Sequence, residues 1–151
     1  MHLTSSAFRD GETIPRQFTG DGSDRSPPLA WSGAPDNTKS FTLICDDPDA
    51  PRGTWVHWVL FNLQASTHEL PEGVPPQGTL PDGAKQGTND FRKLGYGGPA
   101  PPPGKPHRYV FKLYALDTLL DLMEGATRAQ LEQAMRGHVL AEGQLIGKYG
   151  R

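Results

Sequence analysis

Thr54-Trp55-Val56-His57-Trp58-Val59-Leu60-Phe61-Asn62-Leu63 decides the fold. Alternation divides it into Trp55/His57/Val59/Phe61/Leu63 and Thr54/Val56/Trp58/Leu60/Asn62, and both faces are largely apolar. A strand apolar on both faces is covered on both, so it belongs in the middle of a sheet with packing above and below. Working outward, Lys39 to Cys45 reads as a strand with Phe41, Leu43 and Cys45 on one face and Ser40, Thr42 and Ile44 on the other. Arg108 to Leu116 is a second central strand, with His107, Tyr109, Phe111, Leu113 and Ala115 sharing a face. Val139 to Tyr149 is expected to return as a final strand, or as a hairpin turning at Gly143.

One helix is expected. Thr127 and Gln130 have the spacing of a capping box. Ala129, Leu131, Ala134 and Met135 then make a partial apolar stripe, and Gly137 offers a stop. Asp121 to Glu124 is expected to add one short turn. The chain holds 18 glycines and 15 prolines in 151 residues, nearly double the usual share, so loops are extensive. Gln64 to Asp90 is a long polar connection broken by Pro71, Pro75, Pro76 and Pro81; a loop of that length in a compact domain is functional or mobile. These elements predict a single domain over 1–151, an all-β antiparallel sandwich with one or two short helices.

Composition excludes several function classes. No apolar run approaches the ~20 residues of a membrane span. The first ten residues lack the basic start and apolar run of an export signal. Fifteen Lys and Arg against 17 Asp and Glu give a net charge of −2, which argues against a nucleic-acid surface. The lone Cys45 rules out an internal disulfide framework, and on an apolar strand face it reads as a small buried hydrophobe. There is no G-x-S-x-G elbow, phosphate loop or G-x-G-x-x-G turn. The expectation is a cytoplasmic, non-enzymatic protein without a cofactor.

Three segments combine polar reactive residues with rigid backbone. Asp46-Asp47-Pro48-Asp49-Ala50-Pro51 closes a strand, and its carboxylates serve either a surface turn or the orientation of a histidine or metal. His57 lies inside a covered strand, where both ring nitrogens need partners, so it is a satisfied core residue or a pocket residue. Gly95-Tyr96-Gly97-Gly98-Pro99-Ala100-Pro101-Pro102-Pro103-Gly104 runs into His107-Arg108-Tyr109. Such a loop is a rigid connection or a concave backbone surface that receives an anion. His107 and Tyr109 point into one space, while Arg108 points away toward structural partners.

In this order the segments resemble the phosphatidylethanolamine-binding protein family, also called Raf kinase inhibitor-like, and its short bacterial and archaeal branch in particular. The matching pieces are Asp47-Pro48-Asp49-Ala50-Pro51, Trp55-x-His57-Trp58, Gly98-Pro99 and His107-Arg108-Tyr109. Ile14-Pro15, Asp21-Gly22, Ser26-Pro27-Pro28-Leu29, Gly87-x-Asn89-Asp90-Phe91 and Tyr114-Ala115-Leu116-Asp117 extend the likeness over nearly the whole chain. The resemblance implies a Greek-key β-sandwich with a small anion pocket. The implied ligand is phosphate or a phosphorylethanolamine head group, bound by Asp47, Trp55, His57, Gly98, Pro99, His107 and Tyr109. Asp49 is then expected to hold its loop, and Ala50-Pro51 to be cis. Departures are Ala100 where many bacterial relatives carry Cys, and Arg92 where they carry Gly. The C-terminal helix that borders the pocket in animal members has no counterpart after Tyr149, which implies a more open pocket.

On this reading the ring N–H groups of His57 and His107, the Gly98 backbone and the Tyr109 hydroxyl donate to phosphate oxygens, with Asp47 orienting one histidine. Two alternatives stand beside it. A metal-dependent enzyme would use His57, His107 and Asp47 as ligands. An interaction protein would inhibit a kinase or protease through the loops at 20–28 and 64–90. A homodimer is compatible with the low net charge. Nucleic acid and stable membrane insertion are not expected.

Overall fold

The computed structural model describes residues 1–151. Eight strands form two antiparallel sheets. The small sheet holds β1 (His2–Thr4), β2 (Leu29–Ser32) and β5 (Glu69–Leu70) in the order β1-β2-β5. The large sheet holds β3 (Ser40–Asp47), β4 (Trp55–Gln64), β6 (Lys85–Gln86), β7 (His107–Leu116) and β8 (Val139–Tyr149) in the order β6-β4-β3-β7-β8. The one α-helix, α1 (Arg128–Met135), packs on the outer face of the large sheet, and Arg16–Phe18 makes a short 3-10 turn.

The central strands β3 and β4 are buried on both faces, as the apolar pattern of β4 demands, while the edge strand β8 is largely exposed or half-buried. Between the sheets Leu3, Leu29 and Trp31 meet Phe41, Leu43, Trp58, Leu60, Leu63, Phe111 and Leu113. On the outer face Ile44, Val56, Val59, Phe61 and Leu116 meet Leu131 and Met135 of α1. The helix begins as expected. The Thr127 hydroxyl accepts from the Gln130 N–H at 3.2 Å, and the Gln130 amide oxygen accepts from the Thr127 N–H at 3.0 Å. That reciprocal pair satisfies two of the donors a helix start leaves open.

Strict alternation fails within β4, and the failure creates the site. Cys45 pairs with Trp58 and Asp46 with Val56, so His57 is an extra residue in the ladder. Phe41 pairs with Leu63 and Leu43 with Leu60, which places a second extra residue near Asn62. Each is a β-bulge, and a bulge lets neighbouring side chains share a face. His57 therefore lies on the same side as Trp58, with its ring centroid 5.1 Å from that of Tyr109 in the inter-sheet layer. The predicted grouping of His57 with Val59 and Phe61 is corrected accordingly. At the second bulge Asn62 adopts φ 57° and exchanges two hydrogen bonds with the Leu120 backbone.

Three local expectations also change. Val139 to Tyr149 is one continuous strand with Gly143 opposite Leu113, not a hairpin. A side chain at Gly143 would stand 3.0 Å from the Met1 carbonyl oxygen, so glycine serves close sheet packing there. Asp121 to Glu124 forms no helical turn; the Asn62 bonds to Leu120 hold the preceding chain extended. All peptide bonds are trans, including Ala50–Pro51, where the Ala50 carbonyl accepts from the Gly53 N–H at 3.2 Å and closes the turn.

The long connection at 64–90 is tied down by its own polar residues. Gln86 is fully buried; its amide oxygen accepts from the Trp58 indole at 2.8 Å. Its amide nitrogen donates to the carbonyls of Pro75 and Gln77. One side chain thus satisfies two loop carbonyls that have no ladder partner.

Candidate functional site

The register brings the end of β3 beside the starts of β4 and β7, with Asp47 opposite Trp55 and Asp46 opposite Val110. Here lies a cavity of about 180 Å³. Its walls are Asp47, Ala50, Pro51, Trp55, His57, Phe91, Ala100, Pro101, Pro102, His107 and Tyr109. Five of the seven predicted site residues therefore converge: Asp47, Trp55, His57, His107 and Tyr109.

Gly98 and Pro99 do not line this cavity. The Gly98 N–H donates to Asp24 Oδ1 at 2.7 Å, so it is not free for a ligand. A Cβ on Gly98 would fall 2.4 Å from that oxygen, which explains the glycine by close approach. The Pro99 carbonyl accepts from the Gly20 N–H at 2.8 Å. These residues brace the loop against the N-terminal segment, and the next three residues form the wall.

Both histidines are anchored at Nδ1. His57 Nδ1 hydrogen-bonds the Gly97 carbonyl oxygen, and the Gly97 N–H donates back to the His57 carbonyl at 2.9 Å. A carbonyl only accepts, so His57 Nδ1 carries the proton. His107 Nδ1 lies 2.7 Å from Asp47 Oδ2, and the side chains of both are nearly buried. Neither Nε2 has a protein partner. Donation to a ligand through Nδ1–H is therefore closed, and only the Nε2 edges remain. The Tyr109 hydroxyl is buried with no hydrogen-bond partner.

Burial lowers the pKa of His57, and the Gly97 hydrogen bond and the charges of Asp47, Asp90 and Asp24 only partly offset this. Burial, reinforced by the Asp47 charge, raises that of Tyr109, so its hydroxyl stays protonated. Asp49 lies outside the cavity and holds the loop. Its oxygens receive the Arg108 N–H at 2.9 Å and two guanidinium bonds at 3.0 and 2.9 Å. Arg108 bonding holds its carboxyl down to about 2.

Phe91 is the main residue that sequence reasoning missed. Asn89 Oδ1 accepts from the N–H groups of Phe91 and Lys93, and its amide donates to the Gly95 carbonyl. The loop so formed sets the Phe91 ring steeply across those of Trp55 and His57, at 74° and 73°. Arg92 follows at φ 63°, a conformation glycine adopts freely. The available signal was an aromatic residue directly after Asn89-Asp90. Ala50, Pro51 and Ala100 to Pro102 carried no chemical signal, because they contribute apolar surface.

A shared metal is not what this geometry offers. Asp47 is already engaged by His107 Nδ1, and no group of three His, Cys, Asp or Glu side chains is arranged to hold an ion. The triad of His57, His107 and Asp47 is corrected to a histidine pair with one orienting carboxylate. No helix is long and apolar enough to cross a membrane.

A family model described as phosphatidylethanolamine-binding protein matches residues 4–150. A UPF0098 protein of Methanothermobacter thermautotrophicus is 54% identical over 151 residues, covering all of this chain and 99% of its own. The UPF0098 protein YbhB of Escherichia coli is 43% identical, with 99% of each chain covered. Among solved structures, a phosphatidylethanolamine-binding protein homologue from Chlamydia trachomatis superposes with a TM-score of 0.91 at 41% identity, over 99% of this chain and 97% of that one. Escherichia coli YbcL, described as a member of the mammalian PEBP family, superposes with a TM-score of 0.92 at 36% identity, over 99% and 98%.

Proposed function

The chain belongs to the phosphatidylethanolamine-binding protein family, and from that premise we propose that its cavity binds a small phosphate-bearing ligand without transforming it. The observation that carries this reading is the buried, unpartnered Tyr109 hydroxyl in a wall shared with two free imidazole edges. A buried polar group without a partner costs about 1–3 kcal/mol, which a ligand oxygen would recover. The negative charge of Asp47 is met by His107 and does not face the ligand alone. Trp55 and Phe91 are 39% and 37% exposed at the rim, where their rings would receive an ammonium group such as that of phosphorylethanolamine. The size supports a head group: about 180 Å³ is below the ~300–1,000 Å³ of drug-sized pockets.

The test is a histidine-resolved NMR titration of metal-free protein with inorganic phosphate and phosphorylethanolamine. The ring signals of His57 and His107 are expected to move together and saturate. Signals that stay fixed to millimolar ligand would overturn the proposal.

A further inference from the structure

Hydrogen-bond parity in the cavity narrows the ligand class, and this step rests on the phosphate reading above. His57 Nδ1 must donate, because its partner is the Gly97 carbonyl. In the neutral ring Nε2 is then a lone pair, an acceptor facing the cavity. The ring is buried and packed between Phe91 and Tyr109, whose centroids lie 5.3 and 5.1 Å away, so charging it means desolvating a cation. The charged or titratable groups around His57 are Asp47 on β3, Asp90 and Asp24 in loops, and His107 and Tyr109 on β7. The carboxylates favour the charged ring, but burial outweighs them. The resting cavity thus presents an acceptor at His57, a hydroxyl at Tyr109, and a His107 ring whose Nδ1 is held by Asp47.

A ligand that fits this set must bring one hydrogen as well as several acceptor oxygens. We propose that the cavity selects phosphate monoesters, and phosphate itself, through a P–OH hydrogen donated to His57 Nε2, and rejects phosphodiesters and sulfate, which carry none. An ionised oxygen of the ligand accepts from Tyr109 Oη–H. Phosphate monoesters have a second pKa near ~6, so at pH 7 only about a tenth of the ligand carries the hydrogen in solution and the site must draw on that fraction. Above that pH the dianion dominates in solution, and binding must take up one proton. A diester would set an oxygen against the His57 lone pair. Phosphatidylethanolamine in a bilayer is a diester, so the selected ligand is a soluble monoester.

Calorimetry on the full chain tests this with two matched pairs: phosphate against sulfate, and phosphorylethanolamine against glycerophosphorylethanolamine. The first pair is matched in size and shape, which removes steric exclusion as the cause. At pH 7 the hydrogen-bearing member of each pair is expected to bind about tenfold tighter or more. Titration at pH 8 in two buffers of different ionisation heat should show uptake approaching one proton. His57→Gln, whose amide both accepts and donates, should reduce each ratio to about threefold or less. Equal binding of sulfate and phosphate without proton uptake overturns the selectivity and leaves the phosphate site standing. Binding of none of the four overturns the site itself.

Discussion

Asp46 and Asp47 are neighbours in sequence, equally buried, and opposite in chemistry. Alternation along β3 sends Asp47 toward the cavity and Asp46 toward α1. Asp47 meets His107 at 2.7 Å in the cavity wall. Asp46 meets Arg128 at 3.0 Å through one oxygen, and its other oxygen is buried without a partner. Burial therefore raises Asp46 to about 6 despite Arg128 and Lys112, with Glu132 and Asp90 adding repulsion. A carboxylate stabilises a site when its hydrogen bonds are complete, and costs stability when they are not.

The contrast is sharpest in binding. Asp47→Ala should weaken phosphate binding by ~10-fold or more, since a hydrogen bond to a charged group contributes about 1.5–3 kcal/mol. Asp46→Ala should leave binding nearly unchanged; an equal loss in both variants, measured by calorimetry, would break the comparison.

Tyr109→Phe is next in size. It removes a hydroxyl without a protein partner, so thermal stability should hold or rise while phosphate affinity falls by about 5- to 10-fold. A melting temperature that drops instead would mean the hydroxyl serves the fold.

Asp46→Asn tests the other face through pH. The folded-state value of about 6 lies above the ordinary 3.8, so the folded chain binds this proton more tightly than the unfolded chain. Its contribution is fully present below pH ~4 and is lost as pH rises through ~6. The Asn variant should melt ~2–5 °C higher than wild type at pH 8 and within error of it at pH 4. A lower melting temperature at pH 8 would show the Arg128 pair to be net stabilising.

Asp49 gives the smallest effect. Its value of about 2 lies below 3.8, so its stabilisation is present above pH ~4 and is lost as pH falls through ~2. Because its Arg108 partner is half exposed, Asp49→Ala should shift the neutral-pH melting temperature by no more than ~2 °C.

Much of this was legible in the residues. β4 announced a sheet covered on both sides because its run is apolar on both alternating faces and rich in β-branched and aromatic residues. Thr127 and Gln130 announced the helix start because a capping box is local in sequence. The pairing of Asp47 with His107 spans 60 positions; the resemblance to a known family placed both in one pocket and had Asp47 orient one histidine, and the fold decided which. Phe91 and the alanine and proline wall were not legible, since apolar side chains show no chemistry until a cavity exists for them to line.

The sequence by itself determined the four long strands, the helix cap, the absence of a disulfide framework and the segments that would carry the site. These depend on periodicity and on residue type, which neighbours along the chain express. Tertiary structure alone decided that the bulge at His57 turns its ring toward Tyr109, that Gly98 braces a loop, and that both imidazoles keep only Nε2 free. Each of these depends on which distant backbone group takes a hydrogen bond, and a one-residue shift in strand register, invisible in composition, changes the answer.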